Sequence, residues 1–356
     1  MDRSAQNSGT AEVRHAHRFD VERLAQWMSR EIHGFRGPLR VEQFKGGQSN
    51  PTYKLTTPAR SYVLRRKPPG KLLPGAHAVD REYRVIEALD RQGFPVAKPL
   101  GLCLDEEVIG TQFYVMDMVE GRIFWEASLP QLSREARPAY FDAMNEAIAR
   151  LHQVDPEEAG LADFGKPGNY FERQIGRWSK QYLGDVEAGR VPAMDRLVEW
   201  LPRNAPADEG EARVIHGDFR CDNMIFHPTE PRILAVLDWE LSTLGHPLAD
   251  FSYHLMMYRM PADLFTGLAG LDLPALNIPS EAEYVAAYCR RTGRAGIPNL
   301  DFYVAFNMFR LAAILHGIKG RLARGTASSA HADKMVHGLE PLADLAWQQA
   351  RLAGSG

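Results

Sequence analysis

The chain contains 356 residues, which at roughly 100–200 residues per domain is enough for two lobes. Hydrophobic residues make up 45% of the chain and charged residues 24%, a mix that excludes disorder as the overall state. Lys and Arg number 42 against 45 for Asp and Glu, which gives a net charge of −3. Because a general nucleic-acid binder needs a basic surface, no nucleic-acid partner is expected.

The cysteines and the N-terminal residues indicate the compartment. Cys103, Cys221 and Cys289 are far apart and form no CxxC pair, so neither a disulfide framework nor a zinc site is predicted. Residues 1–19 lack the apolar core of a signal peptide, and no stretch approaches the roughly 18 consecutive apolar residues of a membrane helix. We therefore expect a cytoplasmic protein without a membrane segment.

The first part of the chain is predicted to be rich in strands. Apolar residues three and four positions apart predict a helix that begins near Val21. Between residues 40 and 66 the apolar period changes to two, which predicts three short antiparallel strands. A helix over 77–92 and strands over 99–104 and 112–118 follow.

Beyond residue 121 the pattern is mainly helical, with one small strand-rich island. The predicted helices span 131–153, 169–187, 193–202, 247–258, 280–293, 301–324 and 329–352, and the island holds strands over 213–215, 223–226 and 233–237. Because strands and helices are segregated, the order predicts an α+β fold with two lobes. The predicted boundaries are 1–39 for a leader and helix, 40–118 for the N-lobe and 119–356 for the C-lobe.

Two apolar strands of the island each lead into a carboxylate, at Asp218 and at Asp238. The spacing Asp218-x-x-x-x-Asn223 equals that of the protein-kinase catalytic loop. Phosphoryl transfer needs a carboxylate that orients the attacking hydroxyl, and an Asn and an Asp that share Mg²⁺ ions. The segment therefore favours phosphoryl-transfer chemistry.

A charged pair is predicted between the N-lobe helix and its sheet. Glu82 falls in the middle of the apolar arc of the 77–92 helix, and a buried carboxylate is costly unless it is paired. Arg65 stands in the place of the Lys in the kinase strand V-A-I-K, so an Arg65–Glu82 pair would hold a cation at the nucleotide phosphates. Lys67 lies on the same strand face and is the alternative contact.

Two further N-lobe segments occupy the positions of kinase nucleotide contacts. A phosphate-covering loop is expected between the first two strands, and a hinge with backbone groups that bond adenine is expected after the last one. These segments are Gly46, Gly47, Gln48, Ser49 and Asn50 for the loop, and Met116, Asp117 and Met118 for the hinge.

Together these residues resemble the aminoglycoside phosphotransferase and choline kinase superfamily, small-molecule kinases with a protein-kinase-like fold. The resemblance covers about residues 40–325 and is carried by the pattern H-G-D-x-x-x-x-N…D-W-E. The strings at 46–50, 63–70 and 237–245 look most like the kinase-like domain found fused to some acyl-CoA dehydrogenases. No flavin-site pattern is apparent, so dehydrogenase activity is not expected of this chain.

The resemblance implies an enzyme that uses ATP and Mg²⁺, with a nucleotide-binding N-lobe and a catalytic and substrate-binding C-lobe. Asp218 would be the catalytic base, and Asn223 and Asp238 would hold magnesium. His216 and Asp250 would be structural supports, Asp250 as the buried brace of the catalytic loop. The departure from the family pattern is an Arg at position 65 where many relatives have Lys.

The charge distribution indicates the acceptor. Residues 280–356 carry nine basic and six acidic side chains, and one stripe of the 301–324 helix includes Tyr303, Arg310 and Arg321. A basic, partly aromatic stripe suits an anionic substrate with an apolar part. Combined with the family resemblance, this stripe favours a small-molecule hydroxyl acceptor, a hydroxyacyl compound or hydroxyacyl-CoA. The alternatives are an aminoglycoside or amino-alcohol kinase, and a kinase-like protein that binds a nucleotide or acyl ligand without turnover.

Overall fold

The computed structural model describes residues 9–45, 50–70, 77–207, 210–325 and 335–354. The chain divides into two units. The first unit comprises Met1–Trp125, Glu157–Leu161 and Cys221–Ser242, and the second comprises Glu126–Pro156, Ala162–Arg220 and Thr243–Gly356.

Strands and helices are numbered in chain order. The strands are β1 (Thr10–Ala11), β2 (Arg40–Phe44), β3 (Thr52–Thr56), β4 (Ser61–Arg66), β5 (Pro99–Cys103), β6 (Phe113–Asp117), β7 (Arg213–Ile215), β8 (Met224–Phe226), β9 (Ile233–Val236) and β10 (Thr243–Gly245). The helices are α1 (Val21–Glu31), α2 (Val79–Arg91), α3 (Arg137–Gln153), α4 (Tyr170–Gly184), α5 (Pro192–Asn204), α6 (Pro247–Leu255), α7 (Ala262–Phe265), α8 (Leu273–Leu276), α9 (Glu281–Thr292), α10 (Leu300–Ala323) and α11 (Leu339–Ala353).

The first unit is built on a six-stranded antiparallel sheet with strand order β1-β2-β3-β4-β6-β5. Helix α1 begins after Asp20, whose carboxylate accepts hydrogen bonds from the amides at the start of the helix, and contributes Leu24 and Trp27 to the core. Alternation along β4 directs Tyr62 and Leu64 into this core and Arg65 to the opposite face, toward α2. The predicted strands and helices of this region are confirmed.

The predicted strand-rich island is not one sheet. Strands β8 and β9 pair with each other in the first unit, and β7 pairs with β10 in the second. Strand β10, at Thr243–Gly245, was not predicted, because Leu244 is its single large apolar residue, whereas β7 and β8 each contain consecutive apolar residues.

In the second unit, α10 is the central helix and packs against α4, α5, α6 and α11. Its side chains are buried on nearly all sides, as in the core of a helical domain. The predicted helix over 131–153 begins only at Arg137, with a proline in its first turn, and the last helix begins at Leu339. Within the described residues, none of the helices combines the length and the apolar character that a membrane span requires.

The close approach of the chain at Gly121 to β8 gives a stability test. A Cβ at Gly121 would lie 2.3 Å from the Phe226 carbonyl oxygen, whereas one at Gly176, in α4, meets nothing within 4 Å. We expect Gly121→Ala to lower the free energy of unfolding by about 1–3 kcal/mol through overpacking. Gly176→Ala, the matched control, should raise it by about 0.5–1 kcal/mol. Equal effects in urea titrations would contradict the close approach.

Candidate active site

The loop that carries Asp218 is fixed by one buried carboxylate in the second unit. Asp250, in the first turn of α6, accepts the His216 amide at 2.8 Å and the Gly217 amide at 2.7 Å, one on each oxygen. It is 1% exposed. Asp250 therefore braces the backbone directly before Asp218, in the role that the family resemblance implies for it.

Behind Asp250 lies a second polar layer. The Nε2 atom of His152 is 3.2 Å from an Asp250 oxygen, and its Nδ1 atom is 2.7 Å from the Tyr288 hydroxyl. Burial by itself raises the pKa of Asp250, but the hydrogen bond and charge of His152, together with His216, hold that pKa below its usual value. The brace is thus a carboxylate in its charged form.

The Asp218 carboxylate is oriented by neighbours of its own unit. The Tyr253 hydroxyl donates to Asp218 Oδ1 at 2.5 Å, and Arg220 Nε lies 3.2 Å from the same oxygen. Tyr253 was not predicted as a site residue. Its position three residues after Asp250 on the same helix was the available signal, because side chains at that spacing share a face.

Further residues hold the carbonyl side of the same loop. Arg310 is buried and donates to the Gly217 carbonyl at 2.8 Å, with its guanidinium 5.3 Å from the Tyr253 ring centroid. His254 lies 3.1 Å from the Phe219 carbonyl and 2.7 Å from the Tyr284 hydroxyl. Burial lowers the pKa of His254 to about 4, so the ring is neutral at pH 7 and donates from Nδ1 to the carbonyl. The loop is therefore held by hydrogen bonds to its backbone amides and to its backbone carbonyls.

In the first unit, the predicted Arg65–Glu82 ion pair is present. Arg65 Nε lies 2.7 Å from Glu82 Oε2, and Glu82 is 1% exposed. Asn50 Nδ2 donates to Glu82 Oε1 at 2.7 Å, and the Tyr114 hydroxyl donates to Oε2 at 3.0 Å. Burial raises the pKa of Glu82, and the charge of Arg65 opposes that rise.

Arg65 also contacts the carboxylates that follow β9. Its Nη2 atom lies 2.6 Å from Asp238 Oδ1 and 3.5 Å from Glu240 Oε2. Burial alone lowers the pKa of Arg65, but these acidic neighbours raise it overall, so the guanidinium is charged. The alternative contact, Lys67, instead donates to Gln112 at 2.7 Å.

The β8–β9 pairing brings Asn223 and Asp238 to one end of a hairpin. Met224 pairs with Val236, and the Leu237 amide donates to the Asn223 carbonyl at 2.8 Å. Carboxylate and amide oxygens are ligands that suit Mg²⁺, so the donor set fits that ion. Among the described ranges no group of three or more His, Cys, Asp or Glu could hold a metal, so substrate phosphates or water would supply the remaining ligands.

The phosphate loop and the hinge are only partly described. Gly46, Gly47, Gln48 and Ser49 lie outside the described residues, and the side chain of Asn50 is buried against Glu82. The Asp117 amide donates to the Lys98 carbonyl at 2.9 Å, and the Asp117 carboxylate pairs with Arg60. Met116 is buried within β6, and Met118 directly follows the last residue of that strand.

The predicted substrate stripe on α10 is mostly interior. Tyr303 is 4% exposed and stacks on Phe171 and His246 at centroid distances of 5.2 and 5.8 Å, and Arg310 is buried as described above. Arg321 is the exposed member of the three predicted residues. A helix surrounded by other helices buries more than one of its faces, so a stripe of period 3.6 does not identify an outer surface.

The chain matches the phosphotransferase enzyme family over residues 40–303. The chain therefore belongs to this family, and the predicted small-molecule kinase class is confirmed.

Chicken (Gallus gallus) acyl-CoA dehydrogenase family member 11 is 45% identical over 344 residues, which cover 94% of this chain and 44% of that protein. Mouse (Mus musculus) member 10 is 45% identical over 320 residues, 89% of this chain and 30% of that protein. The chain thus spans less than half the length of these relatives.

Solved structures give the same class. A crystal structure from Ralstonia eutropha JMP134, provisionally named an aminoglycoside phosphotransferase, has a TM-score of 0.86 and 52% identity, and the match covers 94% of this chain and 99% of that one. Aminoglycoside phosphotransferase APH(4)-Ia, in a ternary complex with ADP and hygromycin B, has a TM-score of 0.59 and 15% identity over 91% of this chain and 97% of that one. The second likeness shows the fold alone. The predicted α+β, protein-kinase-like fold is confirmed.

The Asp250 brace predicts a pH-dependent loss of stability. In Asp250→Asn an amide group would face one of the two backbone N–H donors, so we expect the free energy of unfolding at pH 7 to fall by about 1–3 kcal/mol. Because the folded-state pKa of Asp250 is lowered, its contribution is complete above the unfolded value of about 3.9 and is lost as the pH falls through the folded value.

Urea titrations between pH 3 and 7 test this prediction. The difference between wild type and Asp250→Asn should shrink below about pH 4. Asp263→Asn removes an exposed carboxylate and should stay within about 0.5 kcal/mol of wild type throughout. A difference between wild type and Asp250→Asn that is constant across this range would contradict the brace.

Proposed function

We propose that the chain transfers the γ-phosphoryl group of ATP to a hydroxyl of a small molecule, with Mg²⁺ as cofactor. The observation that carries the proposal is the Asp218 carboxylate, oriented by the Tyr253 hydroxyl on a loop whose amides are bonded to a buried Asp250. Such a fixed, half-buried carboxylate suits a general base within hydrogen-bond reach of an acceptor hydroxyl. ADP and AMP-PNP in the APH(4)-Ia complexes support ATP as the donor.

Each proposed role follows from a contact described above. Asp218 accepts the proton of the acceptor hydroxyl while the hydroxyl oxygen bonds to the γ-phosphorus and ADP leaves. Asn223 and Asp238 hold Mg²⁺, which when bound neutralises charge on the phosphates. Arg65, fixed by Glu82, provides a cation for the α- and β-phosphates. In this proposal the N-lobe segment 40–118 binds the nucleotide and the C-lobe segment 119–356 binds the acceptor.

In this proposal the hinge Met116–Met118 offers backbone groups to adenine. The contacts of one hinge residue, Asp117, and one loop residue, Asn50, limit the roles that these residues can have. The Asp117 amide is bonded within the sheet, so the hinge donor is the Met118 amide. Asn50 anchors the end of the loop to Glu82.

For the acceptor we propose a hydroxyacyl compound, with hydroxyacyl-CoA as the leading candidate. Relatives 45% identical to this chain are acyl-CoA dehydrogenase family members, which supports an acyl-CoA-related substrate for the segment they share with it. Arg321 is exposed and is the predicted substrate residue that lies at the surface of its unit. The aminoglycoside name of the Ralstonia structure keeps an aminoglycoside as the second candidate.

Replacement of Asp218 tests the base. Asp218→Asn keeps the shape of the side chain but cannot accept the proton, so turnover should fall about 10²–10⁴-fold. Affinity for ATP, measured by calorimetry, should change little, because the nucleotide contacts are assigned to other residues. Asp263→Asn serves as the matched control and should keep wild-type turnover. An Asp218→Asn enzyme with wild-type turnover would contradict the assignment.

Acceptor specificity is tested by ATP consumption. We expect turnover with hydroxyacyl-CoA substrates and none with saturated acyl-CoA of the same chain length, since the latter lacks the attacking oxygen. The panel includes free hydroxy acids, choline and hygromycin B, with hydroxyls at successive chain positions among the acyl substrates. Turnover of hygromycin B alone would contradict the acyl proposal and favour the second candidate.

A further inference from the structure

Arg65 is shared by three carboxylates of the first unit. Its Nε atom meets Glu82 at 2.7 Å, and its Nη2 atom meets Asp238 at 2.6 Å and Glu240 at 3.5 Å. The Arg65 side chain is 9% exposed, whereas those of Asp238 and Glu240 are 35% and 24% exposed. The guanidinium is therefore buried between an interior acid and two acids open to solvent.

The two ends of this guanidinium have different partners: Nε faces Glu82 as an ion pair without a hydrogen bond, whereas Nη2 donates to Asp238 at 2.6 Å. On the interior side, Glu82 is fixed by Asn50 and Tyr114, so the Nε end has a rigid partner. On the open side, Nη2 reaches carboxylates in contact with solvent, which accept other cations more readily. A planar fork can bridge both sides at once, whereas the single ammonium of a lysine presents its charge at one point.

The Asp238 oxygen that Arg65 contacts belongs to the proposed magnesium ligand. A divalent cation bound at that carboxylate would lie beside a charged guanidinium, and like charges at such short range repel strongly. Nucleotide phosphates would remove this conflict, because they offer Arg65 an anionic partner and supply oxygen ligands. The lack of a group of three acidic, His or Cys ligands within the described ranges agrees with a metal site that is incomplete on its own.

We propose that Arg65 is the resident counter-cation of Asp238: without nucleotide it excludes free divalent metal, and the metal binds together with nucleotide phosphates. This inference rests on the proposed function, because it takes Asp238 as a metal ligand and Arg65 as a phosphate contact. Arg65 is then a specificity-determining residue for metal loading.

Mn²⁺ binding to the full chain, measured by the paramagnetic resonance of free Mn²⁺, tests the inference without turnover. In the absence of nucleotide, Arg65→Lys keeps a cation for Glu82 and frees Asp238, so Mn²⁺ should bind about tenfold more tightly than to wild type. Adding Asp238→Asn to Arg65→Lys should abolish the gain. Arg66→Lys is the matched control, because Arg66 donates to Thr111 instead, and should bind Mn²⁺ as wild type does.

The outcomes separate the inference from the proposed function. Equal Mn²⁺ affinity of nucleotide-free wild type and Arg65→Lys, with both proteins folded by circular dichroism, would overturn the inference and leave the proposed function standing. With ADP added, wild type should bind Mn²⁺ about tenfold more tightly than without it. Failure of ADP to promote Mn²⁺ binding to wild type would contradict the proposed function itself, and the inference with it.

Discussion

A buried carboxylate must have its oxygens occupied by donors or cations, and this constraint organises the candidate site residues within each of the two units. Asp250 has two backbone amides and His152, and Glu82 has Asn50, Tyr114 and Arg65. An unpaired charge in such surroundings would cost several kcal/mol, so each partner is held firmly. The residues proposed for chemistry lie next to those anchors: Asp218 directly follows the two hydrogen-bonded amides in the chain, and Asp238 forms an ion pair with the anchored Arg65.

The two anchors differ in what they fix. Asp250 accepts mostly from backbone groups, so it sets the path of a loop, and the side chain of Asp218 is then adjusted by Tyr253. Glu82 acts instead on a side chain, and an arginine retains a second set of donors after one is engaged. The loop that carries Asp218 is thus fixed by hydrogen bonds within its own unit. Arg65, in contrast, keeps contacts with carboxylates that a phosphate group could replace in the proposed function.

Local periodicity and the kinase strand pattern together predicted the Arg65–Glu82 pair. An acid in the apolar arc of a helix lies on the face that packs against the sheet, and a cation on an alternating strand lies on one known face of that sheet. When these two faces pack together, each charged side chain has few possible partners. The Arg65–Asp238 contact joins positions 173 apart, and the His152–Asp250 contact joins positions 98 apart. No period links such distant segments, so these contacts, like Tyr253 at the catalytic loop, required the fold. The strands of the first unit were predicted closely because alternation is a local signal, whereas β10 contains one large apolar residue and gives no such signal.

The basic C-terminal segment shows how a formal charge differs from a surface field. Arg291 and Arg324 each lie 2.7 Å from a carboxylate, of Asp142 and Asp185 respectively, and Arg294 pairs with Glu211. These acids all precede residue 280, so the positive excess of the segment is largely balanced by its own unit. A balanced surface attracts no ligand by long-range charge. Under the proposed function, recognition of the acceptor would then depend less on long-range charge than on contacts with the apolar part of the substrate.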